Sequence, residues 1–181
     1  MTTNILLGVS ASISAYKAAD VISQLTKRDC KVQVVMTQHA TRFIPPLTLQ
    51  TLSKNPVFTD IMMEENPRNI QHIEWANQCD AFLIAPASAN IIGKLANGIA
   101  DDALSTIALA VPENTPKWIA PAMNTQMYQH PAVQRNLEQL MNDGYQVIEP
   151  RTSLLACGVT GKGALANVED IVQMIMKSVG D

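Results

Sequence analysis

Asp80–Asp102 reads DAFLIAPASANIIGKLANGIADD, and its first half decides the fold. Ala81 to Ala85 is a short continuous apolar run, the pattern of a parallel strand buried on both faces. Pro86 is expected to end it. Ala87-Ser88-Ala89-Asn90 then supplies small residues, one hydroxyl and one amide before the helical pattern IIGKLANG. A strand that runs into a small-residue turn at a helix start leaves backbone N–H groups unpaired and facing outward. Such a turn accepts a phosphate or the polar edge of a heterocycle. In an open α/β sheet it lies at the carboxyl ends of the strands, where ligands bind. An ordinary βα connection has the same look, so the turn alone leaves both readings open.

The flanking sequence repeats the arrangement. Ile5 to Val9 reads as a first strand, and Gly8-Val9-Ser10-Ala11-Ser12-Ile13-Ser14 leads into a helix expected over Ala15 to Arg28, with Ala18, Val21, Ile22 and Leu25 at helical spacing. This is not the GxGxxG fingerprint. Serines stand where glycines would, offering hydroxyls beside the backbone N–H groups, although one of them is accounted for by helix capping. Val32 to Met36 is a second strand, ending in Thr37 at the same edge. Pro45-Pro46 stops a short helical turn, Leu47 to Lys54 is a helix, and Asn55 to Phe58 suits a short edge strand. Asn66 to Asn69 reads as a surface loop. Gln71-His72-Ile73-Glu74-Trp75-Ala76 precedes the central strand, and its lone histidine has no role by periodicity. The acidic pair Asp101-Asp102 opens a helix over Ala103 to Val111. Lys117 to Ala120 is a further strand that delivers Asn124 at the carboxyl edge. There an amide either holds a carboxylate or carbonyl or caps the next helix. Val133 to Asn142 is an amphipathic helix with Gly144 just past its end, and Tyr145 to Ile148 is expected to be the last strand. Pro150 to Asn167 is expected to be a long, mobile, glycine-bearing binding loop carrying Cys157, and Val168 to Val179 a final helix. These elements predict a Rossmann-like doubly wound parallel α/β sheet, with residues 1–181 as one domain.

Composition limits the function classes. At 47% hydrophobic and 16% charged the chain has globular rather than disordered composition. A net charge of −3 gives no basic footprint, so no nucleic-acid partner is expected. The longest later apolar run, Ala103 to Val111, is too short for a bilayer. NILLGV follows no Lys or Arg and is unlike a leader peptide, so a cytoplasmic protein without a membrane partner is expected. Cys30, Cys79 and Cys157 are odd in number and lack CxxC spacing, and His39, His72 and His130 are scattered. Neither a disulfide framework nor a metal site is indicated.

Five stretches in order, GVSASISAYK, HIEWA, APASANIIGK, APAMNTQMY and LACGVTGKGALA, resemble the flavin-dependent cysteine decarboxylases along essentially the whole chain. The resemblance implies FMN in a Rossmann-like fold, with the crevice shared between subunits of a homotrimer or of a homododecamer built from trimers. It places Gly8, Ser10, Ala11, Ser12, Ile13, Thr37, Ser88, Ala89, Asn90, Ile91 and Ala122 around the flavin. His72 and Cys157 match the catalytic pair, and Asn124 and Met127 the substrate-binding positions. It implies decarboxylation of a small molecule, 4′-phosphopantothenoylcysteine, to 4′-phosphopantetheine in coenzyme A biosynthesis. The alternatives are an oxidative peptidyl-cysteine decarboxylase, a flavin prenyltransferase of the same superfamily and a non-catalytic binding protein of the same fold. Longer bacterial members append a synthetase domain, which a chain of this length is not expected to carry. The sequence departs from the family pattern at Ala11-Ser12, where many bacterial members have paired glycines, and at Ile91, where a threonine is frequent. A third departure is Ala164, where an arginine is common.

Overall fold

A computed structural model describes residues 2–63, 70–156, 158 and 160–180. Strands β1 (Asn4–Val9), β2 (Lys31–Met36) and β3 (Val57–Phe58) form one half of a parallel sheet. Strands β4 (Ala81–Ala87), β5 (Lys117–Pro121) and β6 (Tyr145–Val147) form the other. Their order is β3-β2-β1-β4-β5-β6, so the direction of winding reverses between β1 and β4. β4, paired with both β1 and β5, is buried along its whole length, which is why its sequence is an apolar run without alternation.

Helices cover both faces. α1 (Ala18–Thr26), α2 (Pro46–Ser53) and α8 (Val168–Ser178) pack over one apolar layer with Ile5, Leu7, Val32, Val34 and Leu83. α3 (Gln71–Gln78), α4 (Ala89–Ala96), α5 (Ala103–Ala110) and α7 (Pro131–Asn142) pack over the other, with Leu6, Phe82, Ile84 and Ile119. Residues alternate between the two layers along β1 and β4 because successive strand side chains point to opposite faces. Each fully buried Leu, Ile or Phe contributes ~1.5–3 kcal/mol of transfer free energy. α6 (Thr125–Gln129) is one short turn after β5.

Three expectations are corrected. Pro86 does not end the central strand. β4 continues through a cis Ala85–Pro86 peptide to Ala87, with a register shift against β5. A proline is tolerated here because the irregular ladder needs no N–H from it, while its carbonyl accepts from Ser10. The first helix does not start as an α-helix at Ala15. Ser12 caps a 3-10 segment, Ile13–Lys17, and α1 follows from Ala18 to Thr26. The third correction concerns Pro150 to Asn167. β7 (Arg151–Leu154) and β8 (Thr160–Ala164) form an antiparallel hairpin there, so β6 is the last strand of the main sheet but not of the chain. The hairpin is docked on the chain after β5: Met123 N–H donates to the Gly163 carbonyl at 2.9 Å. A Cβ at Gly163 would stand 2.2 Å from the Met123 carbonyl oxygen, so only glycine permits this approach. Lys162 adds an ion pair to Glu149 and lies over the Tyr128 ring. The loop expected at Asn66 to Asn69 and the residue Cys157 lie outside the described residues.

The remaining elements fall close to their expected positions. α2 starts one residue early because Pro46 serves as its N1 residue. Pro131 opens α7 in the same way, and Gly144 just past its end has φ +87°.

Candidate functional site

Three strand-to-helix turns converge at the carboxyl end of the sheet, and the hairpin closes their fourth side. The groove between them has a volume of about 520 Å³, within the ~300–1,000 Å³ typical of ligand pockets. The first turn contributes Ala11 to Ser14, the second Ser88 and Ala89, and the third Ala122 to Asn124 with Met127. Arg151, Ser153 and Leu154 belong to the hairpin wall.

The hydroxyls along these turns mainly build the site. Ser10 is 1% exposed; its Oγ donates to the Pro86 carbonyl and accepts from the Ser88 N–H, both at 2.8 Å. It ties β1 to β4 at the switch point. Ser12 Oγ accepts from Ser14 N–H at 3.3 Å and donates to the Ala122 carbonyl at 3.4 Å, joining the first turn to the third. Ser88 caps α4: its Oγ accepts from Ile91 N–H and its carbonyl from Ile92 N–H. Of the four N–H groups that begin a helix, those of Ala89 and Asn90 remain for a ligand. Thr37 also serves its own turn, with Oγ1 accepting from Ala40 N–H at 3.2 Å. The serines that replace glycines therefore act largely as struts, and backbone N–H groups are the donors presented to the groove.

The expected site residues separate into groups. Ala11, Ser12, Ile13, Ser88, Ala89, Ala122, Asn124 and Met127 line one groove. Gly8, Ser10, Thr37, Asn90 and Ile91 lie beside or beneath it without lining it. Gly8 is needed for packing, since a Cβ there would meet Leu104 at 2.5 Å, and Ile91 is fully buried in the α4 core face. His72 stands on α3, its ring stacked on Phe58 at 6.5 Å between centroids. Because Phe58 is in the edge strand β3, His72 is outside the groove that holds Asn124. Cys157 lies outside the described residues.

Asn124 lines the groove and is also a helix cap. Its Oδ1 accepts from Gln126 N–H at 2.8 Å and so caps α6. The cap orients the side chain in the groove and makes the amide NH₂ its donor edge. Sequence reasoning missed Lys17 and Arg151, two half-buried cations in the groove lining. Burial pulls Lys17 below the ordinary lysine value, and the Arg151 guanidinium adds to this, while Asp20 acts in the opposite sense. Lys17 was within reach of the sequence, one turn beyond the serines. Arg151 had no local signal, because only the hairpin brings it there.

The donor set fits a flavin nucleotide. Unpaired N–H groups at a helix start suit a phosphate, and the alanines at positions 11, 89 and 122 leave room for a flat ring. The fold and groove thus define a doubly wound α/β protein that binds a nucleotide-type cofactor at its switch point.

The chain belongs to the Flavoprotein family, whose model matches residues 1–180. It is 54% identical over 175 residues to a probable phosphopantothenoylcysteine decarboxylase of Streptococcus mutans, covering 97% of this chain and 98% of that protein. It is 52% identical over 174 residues to the coenzyme A biosynthesis bifunctional protein CoaBC of Bacillus subtilis, covering 96% of this chain but 42% of that one. Among solved structures, a PPC decarboxylase mutant complexed with pantothenoylaminoethenethiol matches with a TM-score of 0.90, 31% identity and 98% coverage of both chains. The FMN-binding protein AtHal3 matches with a TM-score of 0.87 and 31% identity, over 98% of this chain and 96% of that one.

Proposed function

We propose that this protein is an FMN-dependent decarboxylase that converts 4′-phosphopantothenoylcysteine to 4′-phosphopantetheine in coenzyme A biosynthesis. The observation that carries the reading is a single groove with two kinds of donor. Backbone N–H groups at the β1 and β4 turns suit a flavin phosphate, and the capped amide of Asn124 suits a carboxylate. The relatives named above support the substrate and the cofactor.

A β-thiol carboxylate resists loss of CO₂ because the electron pair left behind has no sink. Oxidation of the thiol-bearing carbon to a thioaldehyde creates one, β to the carboxylate. CO₂ then leaves to give an enethiol, and reduction restores the saturated thiol. FMN, when bound, supplies the two-electron acceptor and donor for these changes. Ser88, Ala89 and Asn90 would hold its phosphate, and Ala11 to Ile13 with Ala122 its surroundings. Asn124 donates to the substrate carboxylate and orients the bond to be broken, with Met127 packing beside it. His72 moves the thiol proton during oxidation, and Cys157 delivers a proton to the enethiol carbon.

His72 and Asn124 belong to different regions of one chain, which supports a crevice completed by a second copy. A homotrimer, or a dodecamer of four trimers, is the assembly we assign. Exposed apolar side chains near the groove and on the helical face beside it, including Ile13, Tyr16, Phe43 and Leu47, support such contacts.

The test is a product assay by mass on the FMN-loaded protein, with 4′-phosphopantothenoylcysteine and with a peptide ending in cysteine. The expected product is saturated 4′-phosphopantetheine from the first substrate. An enethiol from the peptide, lighter than a saturated thiol by two hydrogens, with no turnover of the first substrate, would reassign the protein as an oxidative peptidyl-cysteine decarboxylase. Absence of bound flavin after reconstitution would overturn both readings.

A further inference from the structure

Two cationic side chains line the groove. Lys17 ends the 3-10 segment after β1, and Arg151 begins the hairpin. Both line the groove, and the Arg151 guanidinium raises the cost of charging Lys17, which Asp20 partly offsets. The other structurally paired lysines show the contrast: Lys94 meets Asp101 and Asp102 at 2.6 and 2.7 Å, and Lys162 meets Glu149. Among the described residues, no carboxylate forms a salt bridge with Lys17 or Arg151.

Arg151 is nevertheless held in place. Its Nε donates to the Leu165 carbonyl at 2.9 Å, a bond that fixes the guanidinium plane and leaves the terminal nitrogens as donors. Its register partner across the hairpin is Ala164. Two like charges on one wall, joined by a salt bridge to no carboxylate among the described residues, suit a multiply charged anion.

We propose that Lys17 and Arg151 bind the phosphomonoester of the substrate and make the enzyme selective for the phosphorylated over the dephosphorylated pantothenoylcysteine. The inference rests on the decarboxylase reading above and names which end of the substrate this wall recognises. The uncharged N–H groups of Ala89 and Asn90 at the start of α4 are the donors assigned above to the cofactor's phosphate. A substrate anchored by its carboxylate on Asn124 and by its phosphate on the hairpin wall is fixed at both ends. Binding energy from the remote phosphate then orients the reacting carbon.

The experiment compares kcat/KM for 4′-phosphopantothenoylcysteine and for pantothenoylcysteine in the FMN-loaded parent protein and in Lys17→Gln, Arg151→Gln, Arg151→Lys and the double Gln variant. Flavin absorbance and melting temperature are recorded for each. In the parent the phosphorylated substrate is expected to be strongly preferred. Each Gln variant should lose ~10–100-fold of that preference, the weight of a charge-assisted hydrogen bond, mainly through KM. Arg151→Lys, which keeps the charge, should recover part of it. Variants that lose FMN while the substrate preference stays at the parent value would show that the pair holds the cofactor's phosphate, and would overturn the proposal. Equal losses on the two substrates, or no loss on either, would overturn it as well. A parent protein that turns over neither substrate would instead refute the decarboxylase reading on which the inference stands.

Discussion

In the proposed reaction Asn124 serves both fold and chemistry. As N-cap of α6 it uses Oδ1 on the Gln126 N–H, and Asp caps a helix as well as Asn does. Asn124→Asp is therefore expected to fold and to bind flavin like the parent, while a negative charge replaces the donor we assign to the substrate's carboxylate. Substrate affinity measured on the flavin-loaded variant should collapse. Unchanged affinity would return Asn124 to a purely capping role. His72→Asn should show the complementary effect: flavin and substrate still bind, and turnover falls by ~10²–10⁴, the usual cost of removing a general acid or base. Turnover at the parent rate would remove the acid–base role from His72.

Among the elements, α5 and its capping residues give a direct pH test. Asp102 and Ser105 form a reciprocal capping box, and Lys94 from α4 reaches the same carboxylate. Burial pushes the Asp102 carboxyl up, but the Lys94 ammonium together with the Ser105 N–H and hydroxyl outweighs it. The group is held below its ordinary value of 3.8. A carboxyl depressed in the folded state stabilises above its unfolded pKa, and that contribution is lost as pH falls through the folded value. Asp102→Asn keeps a capping oxygen and removes the charge. At neutral pH it should cost on the order of 1 kcal/mol, or ~2–4 °C in Tm for a chain of this size. Melting curves should converge with those of the parent below the folded pKa of Asp102. A constant gap across the acid range would mean that the charge contributes nothing.

For the whole molecule, the decisive property is that one chain separates His72 from the groove that holds Asn124. If the working site is shared, light scattering should give the mass of three chains or a multiple of three. Two inactive variants, His72→Asn and Asn124→Asp, should also regain partial activity when their subunits are exchanged, because mixed interfaces pair an intact His72 with an intact Asn124. A monomer with full turnover, or exchanged oligomers that stay inactive, would place all the chemistry within one chain. The regain of activity is the stronger of the two tests, since mass alone does not show which residues meet.

Much of this architecture was readable from contiguous residues. The apolar run at Ala81 to Ala85, the small-residue turns after Val9, Ala87 and Pro121, and the helical spacing of Ala18, Val21, Ile22 and Leu25 are local patterns with local physical causes. Each predicts a strand, a turn or a helix wherever its partners lie, and together they predict the parallel sheet and the edge at which a ligand binds. The hairpin of Arg151–Leu154 and Thr160–Ala164 has no such pattern. Its strands are short and polar, and their pairing is held by contacts with Met123, Tyr128 and Glu149. The continuation of β4 past Pro86 likewise depends on Ser10, 76 residues away in the chain. The tertiary structure alone decided that two of the serines are struts, that Lys17 and Arg151 face one groove, and that His72 does not. Those outcomes depend on which distant segments the packed sheet brings together, and no local periodicity carries that information.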